Sequence, residues 1–310
     1  MNIDQRNRIR ALLEIFDRKR LVREGVKEAI TSIAYFGRGV LRRGEGNRWI
    51  AERLRSEAPA AIGKIGASEM RALVNWRNGK PFSSFNFEEM HLAGVFPTDQ
   101  ATLNRFGVSF SQTCADLDLL AVWGGRDERK FLDELCPGAD LCRLTDLEPY
   151  YWDAPWSMEL KNKRVLVISP FVESIERQYA RRLDVWPETR LLPAFELKTL
   201  RMPHSDALVP SSFPSWFGMY EDLIQQGLAI DFDVAIVGAG AASLPLCAAF
   251  KRAGKIGIHL GGATQILFGI SGKRWESHPQ IAAFQNQSWV RPSSSETPEK
   301  IYKVERGAYW

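Results

Sequence analysis

Short apolar runs that alternate with helical patterns constrain the fold of this chain more than any other feature of its sequence. Four of these runs have the length and composition of buried strands: residues 117–123, 163–169, 233–237 and 255–260. Shorter extended segments are predicted at residues 60–65, 140–144 and 195–200. Strands that alternate with helices build a parallel sheet with helices packed against it. The sequence therefore predicts an α/β fold with a mainly parallel sheet.

The first part of the chain has a different pattern. Residues 1–58 are predicted to form a helical N-terminal extension, and residues 59–310 the α/β domain. An apolar stripe surrounded by arginine and lysine runs along the first helix, at Ile9, Leu12, Leu13, Ile15 and Phe16. Such a basic amphipathic helix either lies on an anionic membrane surface as a peripheral contact or packs against its own domain or a second copy in a homodimer. Both alternatives stay open.

Composition excludes several classes of function. The formal net charge is +4, and no nucleic-acid-binding motif is present, so we expect no nucleic acid partner. The 4 cysteines are scattered without a CxxC pair, which argues against a structural zinc site and favours a reducing compartment. Because the sequence has neither an apolar run of about 18 residues nor a signal-peptide pattern, we predict a cytoplasmic protein.

A glycine turn follows one of the predicted strands, in the stretch DFDVAIVGAGAASLP of residues 231–245. Its small residues have the spacing of a dinucleotide-binding turn, at Gly238, Gly240 and Ser243. That fingerprint also needs an acidic residue about 20 positions later, but the next strand ends in HLGG. An NAD(P) oxidoreductase is therefore only the third choice, and no redox cofactor is expected. The glycines can still approach a phosphate at a helix N-terminus, or merely form a tight turn.

Three further segments, taken together, resemble one known family. They are residues 62–69 (IGKIGASE), residues 167–175 (VISPFVESI), and residues 254–270 with the GKRW run at 272–275. This set is similar to the GT-D-fold glycosyltransferase-like proteins associated with bacterial surface polysaccharides, over about residues 60–310. The resemblance implies a Rossmann-like fold of GT-D type. It also implies a nucleotide-sugar donor and a glycan or glycolipid acceptor, as in capsule or lipopolysaccharide assembly.

The family places an Asp-x-Glu motif after its first strand, where it contacts a divalent metal and the donor diphosphate. Glu69 matches the motif's glutamate, but Ala67 stands at the aspartate position. One carboxylate is a poor anchor for Mn²⁺ or Mg²⁺, which prefer several oxygen ligands, so metal dependence is in doubt. Glu69 can alternatively act as a base or bind sugar hydroxyls. The missing aspartate also favours a second hypothesis, a non-catalytic nucleotide-binding or scaffold protein of the same fold.

The candidate site residues lie where predicted strands end, because open α/β sheets bind ligands at their carboxyl edge. We assign catalytic roles to Glu69, Glu173 and His259. Residues expected to bind the donor are Lys64, Gly66, Ser68, Ser174, Gly238, Gly240, Gly261, Gly262, Gln265, Lys273 and Arg274. Ser68 has an alternative role as a helix N-cap, and His259 as a structural histidine. Four aromatic residues can stack on a sugar or base, or simply pack: Trp275, Trp289, Tyr309 and Trp310.

Overall fold

The computed structural model describes residues 31, 33–187, 191–203, 211–276, 278–298 and 307–310. Within these ranges seven strands form one sheet: β1 (Ala60–Gly63), β2 (Leu119–Val122), β3 (Asp140–Arg143), β4 (Arg164–Ser169), β5 (Glu196–Arg201), β6 (Val234–Val237) and β7 (Ile256–His259). They lie in the order β3-β2-β1-β7-β6-β4-β5, and each neighbouring pair runs parallel. The predicted α/β fold is confirmed, with an all-parallel sheet in a Rossmann-like arrangement.

Helices connect the strands and cover the sheet. In chain order they are α1 (Glu45–Ser56), α2 (Ala67–Arg77), α3 (Ser84–Leu92), α4 (Gln100–Cys114), α5 (Arg126–Leu135), α6 (Leu144–Leu147), α7 (Val172–Ala180), α8 (Arg182–Val185), α9 (Trp216–Ala229), α10 (Ser243–Arg252), α11 (Ala263–Leu267), α12 (Lys273–Glu276) and α13 (Pro279–Phe284). Short 3₁₀ turns lie at Pro149–Tyr151, Trp156–Leu160, Gly240–Ala242 and Ser294–Glu296. In the part of the chain that the structure describes, no helix has the length and apolar character needed to cross a membrane.

Both faces of the sheet are apolar, which explains why its strands appear in the sequence as continuous apolar runs. Along β4, Val165 and Val167 belong to the core on one face, whereas Leu166 and Ile168 belong to the core on the other. All four side chains are fully buried. A strand covered by helices on both sides needs no polar alternation, so its apolar run is unbroken.

Helix α1 shares one of these two cores. Its Ile50 and Leu54 are fully buried in the cluster that contains Ile62 of β1 and Trp156. The domain boundary predicted at residue 58 stays a prediction, but the helix directly before it packs with the sheet. Residues 1–30, which carry the predicted amphipathic stripe, lie outside the described residues. Membrane contact or a homodimer through that stripe therefore also stays a prediction.

One local expectation is corrected. Helix α2 begins at Ala67 with Gly66 as its N-cap, so Ser68 lies inside the first turn instead of capping it. Further along the chain, Gly227 lies within α9, where a Cβ would be 2.8 Å from the Phe250 ring. At the end of the chain, Trp310 is buried and packs its ring on Phe171.

Helix α10 packs so closely on the middle of the sheet that side chains are excluded at two positions. A Cβ at Gly257 would lie 2.5 Å from the Cα of Cys247, and one at Gly63 would lie 2.8 Å from a methyl carbon of Leu244. Such distances are shorter than van der Waals contact, and the first partner is backbone that cannot rotate away. These two glycines therefore allow α10 to lie directly on β7 and β1.

We expect Gly257→Ala to lower the free energy of unfolding by about 1–3 kcal/mol, because the added methyl group forces α10 away from β7. Urea unfolding followed by circular dichroism measures this change. Gly138→Ala is the matched control, since a Cβ there meets nothing within 4 Å. The control should leave stability unchanged or slightly raised. Equal stability of the two variants would contradict the close packing.

Candidate functional site

A cavity of about 620 Å³ opens at the carboxyl edge of the sheet. The residues after β1, β7, β6 and β4 form its floor, and the segments after β2 and β3 form part of its wall. Eleven sequence-predicted residues line it: Lys64, Gly66, Ser68, Glu69, Gly238, Gly240, His259, Gly261, Gly262, Gln265 and Arg274. This volume falls in the range of about 300–1,000 Å³ typical of small-molecule sites. The rule that ligands bind at the carboxyl ends of parallel strands therefore identified most of the wall.

Three predicted residues do not line this cavity. The Glu173 carboxylate accepts a hydrogen bond from the Arg201 guanidinium at 2.8 Å and is bound by serine hydroxyls at the surface. The Ser174 hydroxyl donates to the fully buried carboxylate of Glu296, which also accepts the backbone N–H groups that begin α7. Lys273 begins α12, outside the cavity wall. These three side chains therefore lie outside the cavity, which gives no support to the catalytic and donor-binding roles predicted for them.

The partly buried ammonium of Lys64 lies in the cavity within electrostatic reach of two carboxylates. Burial lowers the pKa of Lys64, and the negative charges of Glu148 and Glu69 partly offset that effect. Burial also raises the pKa of both glutamates, and the Lys64 charge opposes the rise in each. The Tyr150 hydroxyl donates to Glu148 at 2.8 Å. Glu148 was not among the residues predicted from the sequence. It contributes a carboxylate to the cavity wall, whereas Glu173 does not.

The Glu69 carboxylate turns back toward the start of its own helix. It accepts a hydrogen bond from the backbone N–H of Glu69, and a Cβ at Gly66 would collide with it. Gly66 therefore leaves room for this carboxylate beside the first turn of α2. A negative charge at a helix N-terminus is stabilised by the helix dipole, so Glu69 has a structural role as well as a place in the cavity wall.

His259 is held neutral. Its ring Nδ1 lies 2.9 Å from the carbonyl oxygen of Lys64, and because a carbonyl only accepts, Nδ1 carries the proton. Burial first, and then the Lys64 charge, lower the pKa of His259 from its ordinary 6.5 to about 3. The remaining nitrogen, Nε2, lies close to Gly261 and is free of the ring proton, so it is an acceptor. A neutral imidazole with this tautomer is suited to a ligand hydroxyl, and the catalytic role of His259 stays a prediction.

The amides of the glycine turn are used within the chain. Gly238 N–H donates to the Ile168 carbonyl at 2.8 Å, and Ala241 N–H donates to the Ala93 carbonyl at 2.9 Å. Gly240 has φ +53°, and a Cβ there would lie 2.5 Å from that Ala93 oxygen. A carbonyl oxygen this close disfavours an anion over Gly240, and the donor-binding role predicted for Gly238 and Gly240 stays a prediction. These glycines let the segment after α3 approach β6.

The C-terminal residues form part of the wall. Gln265 donates from Nε2 to the Tyr309 carbonyl at 2.8 Å, which makes it a support for this segment. Arg274 lies over the rings of Trp275 and Tyr309, at 5.2 and 5.9 Å from their centroids. Trp275, Tyr309 and Trp310 line the cavity, whereas Trp289 packs on Trp186 elsewhere.

Several further lining residues were missed by sequence reasoning. They are Arg71, Glu89, Trp123, Glu148, Tyr150, Tyr151, Thr264 and His278. Two of them carry a local signal, since Trp123 directly follows β2 and Glu148 begins an acidic and aromatic run soon after β3. Arg71 and Glu89 come from α2 and α3, and their ion pair at the cavity is a long-range contact that no local pattern shows.

The donor set around Glu69 does not fit a divalent metal. Within the described residues, no group of three or more His, Cys, Asp or Glu side chains is placed to hold an ion. Ala67 offers no oxygen at the position of the motif aspartate, and the charges that act on Glu69 include two cations, Arg71 and Lys64. The use of Mn²⁺ or Mg²⁺ stays a prediction that binding experiments can test.

Comparison of the chain with protein-family models, with characterised proteins and with solved structures finds no match.

The depressed pKa of His259 predicts a pH dependence of stability. The unfolded chain binds a proton at this histidine below pH 6.5, whereas the folded chain does so only near pH 3. Folding stability is therefore lost as pH falls through this window, by at most about 1.4 kcal/mol per pH unit. In His259→Gln this loss should be absent, so the free energy of unfolding of the wild type should decline more steeply between pH 6.5 and 4. Parallel curves in chemical denaturation would contradict a neutral buried imidazole.

Proposed function

We propose that this protein is a glycosyltransferase that moves a sugar from a nucleotide-sugar donor to a glycan or glycolipid acceptor in surface polysaccharide assembly. The observation that carries the proposal is a cavity at the carboxyl edge of the sheet that is lined by the partly buried Lys64 and, within its electrostatic reach, by Glu69 and Glu148. An ammonium suits a diphosphate, and carboxylates and a neutral histidine suit hydroxyl groups. Aromatic rings in the wall suit the face of a sugar. The resemblance to GT-D-fold proteins supports the same assignment.

The groups in the cavity match the charge changes of sugar transfer. The bond between the anomeric carbon and the diphosphate oxygen breaks, and its electron pair leaves with the diphosphate. The cations of Lys64 and Arg274 stabilise that developing charge. The acceptor oxygen forms the new bond to the anomeric carbon, and its proton passes to a carboxylate. Glu148 and Glu69 are suited to take it, because burial raises their pKa toward neutral pH.

A second candidate is nucleotide binding without transfer. Ala67 in place of the motif aspartate favours it, and so does the Glu69 carboxylate, which bonds to its own helix start. Such a protein would be stabilised by the same ligands but would not cleave them. Transfer and binding assays therefore separate the two candidates.

We expect Glu148→Gln and Glu69→Gln to lower sugar transfer by about 10²-fold or more, because each removes a group placed to accept the proton. A panel of UDP-, GDP-, dTDP- and CMP-sugars is screened first for a rise in melting temperature, with and without Mn²⁺. Nucleotide release from the stabilising donor, with and without glycan acceptors, then measures transfer.

The matched control is Glu173→Gln, since that carboxylate lies at the surface with Arg201. A wild type that no donor stabilises would refute the proposal, and one that binds a donor without releasing nucleotide would support the second candidate.

Replacing Lys64 by methionine tests the role of its charge. Lys64→Met should weaken binding of the nucleoside diphosphate by tenfold or more, because it removes a charge-assisted contact while keeping the volume of the side chain. Lys273→Met, which changes a lysine outside the cavity, should leave the dissociation constant unchanged. Isothermal titration calorimetry with and without EDTA measures both variants. Loss of wild-type binding in EDTA would show that a metal, and not these cations, neutralises the phosphates.

A further inference from the structure

Trp123 combines exposure with a place in the cavity wall. It directly follows β2, lines the cavity, and is 48% exposed although indole rings normally pack into cores. Its exposed face is therefore not explained by stabilisation of the fold.

The backbone at Trp123 is held by a buried carboxylate. Both oxygens of Glu128 accept the Trp123 N–H at 3.0 Å, and one of them also accepts the N–H groups of Gly124 and Gly125 at 2.9 and 3.2 Å. The Tyr35 hydroxyl donates to the same carboxylate at 2.8 Å. These bonds fix the turn after β2, because Glu128 itself is buried in the first turn of α5.

The indole ring is fixed as well. Its Nε1 donates to the carbonyl of Ile65 at 2.8 Å, in the segment directly after β1. The Lys64 ammonium lies 5.8 Å from the centroid of the same ring. A flat surface held in one orientation beside a cation is thus preorganised before any ligand arrives, which lowers the entropic cost of binding.

We infer that Trp123 is the stacking platform for the base of a nucleoside diphosphate whose phosphates lie at Lys64. The inference rests on the proposed function and assigns one part of its donor. The Lys64 ammonium lies over the same indole ring, so a ligand that contacts both side chains needs a planar group joined closely to an anion. A nucleotide has this order of groups, whereas the sugar of a nucleotide sugar follows the phosphates. Stacking tolerates any base, because every base has a π-face.

The test compares nucleotide with bare phosphate. Binding of UDP, GDP, UDP-glucose and inorganic diphosphate is measured by calorimetry for the wild type, Trp123→Ala and Trp123→Phe. We expect Trp123→Ala to weaken UDP and GDP by about tenfold or more and inorganic diphosphate by less than twofold. Trp123→Phe should retain most of the nucleotide affinity. Phe36→Ala, which removes an exposed ring outside the cavity, is the matched control and should change nothing.

Each other outcome overturns the inference in a distinct way. Unchanged binding of UDP and GDP to Trp123→Ala shows that the ring does not support the base. If only UDP-glucose weakens, the ring supports the sugar instead. Equal weakening of UDP and inorganic diphosphate shows that Trp123 acts through Lys64. In these three cases the wild type still binds nucleotides and the proposed function stands, whereas a wild type that binds no nucleotide refutes both. Circular dichroism spectra and melting temperatures confirm that the variants are folded.

Discussion

The site depends on one ammonium group, that of Lys64, which is partly removed from water. Removing a charge from water is unfavourable unless opposite charges and hydrogen bonds surround it, and Lys64 has two carboxylates within electrostatic reach, Glu69 and Glu148. The backbone of Lys64 is equally important, because its carbonyl accepts a hydrogen bond from the His259 ring at the end of β7. One residue further on, the Ile65 carbonyl binds the Trp123 indole after β2. The segment after β1 therefore joins the carboxyl ends of three strands, and burial together with the Lys64 charge lowers the pKa of His259.

The segment after β1 also contrasts with the glycine turn after β6. Both follow buried strands and precede helices, and in sequence the glycine turn has the stronger motif. In the folded chain its amides bond to Ile168 and Ala93, and the Ala93 oxygen fills the space above Gly240. The motif correctly indicates that the backbone approaches another group closely. That group is the carbonyl of Ala93, which belongs to the chain itself. The anion recognition that we propose therefore relies on side-chain charge.

Strand positions, the parallel sheet and most of the cavity wall could be predicted because each depends on local pattern. A continuous apolar run predicts a strand buried on both faces, and parallel strands bring their carboxyl ends to one edge. Residues such as Glu69 and His259 follow from that rule alone. Glu173 also follows a predicted strand, but it lies outside the cavity. Its carboxylate accepts a hydrogen bond from Ser295, more than a hundred residues away in the sequence. Glu148 was overlooked, although an acid soon after a strand was a signal that could have been used.

Helix starts at the edge of the sheet show why the local rule is incomplete. At α7 the first amides bind the buried carboxylate of Glu296, and at α2 the Glu69 carboxylate bonds to its own N–H. At the turn before α10 the partner is the carbonyl of Ala93. Sequence can locate a helix start at the carboxyl edge, but it does not show whether the rest of the chain has already supplied an acceptor. Where it has, the helix dipole is satisfied within the chain, and the anion recognition that we propose depends instead on the charge of Lys64.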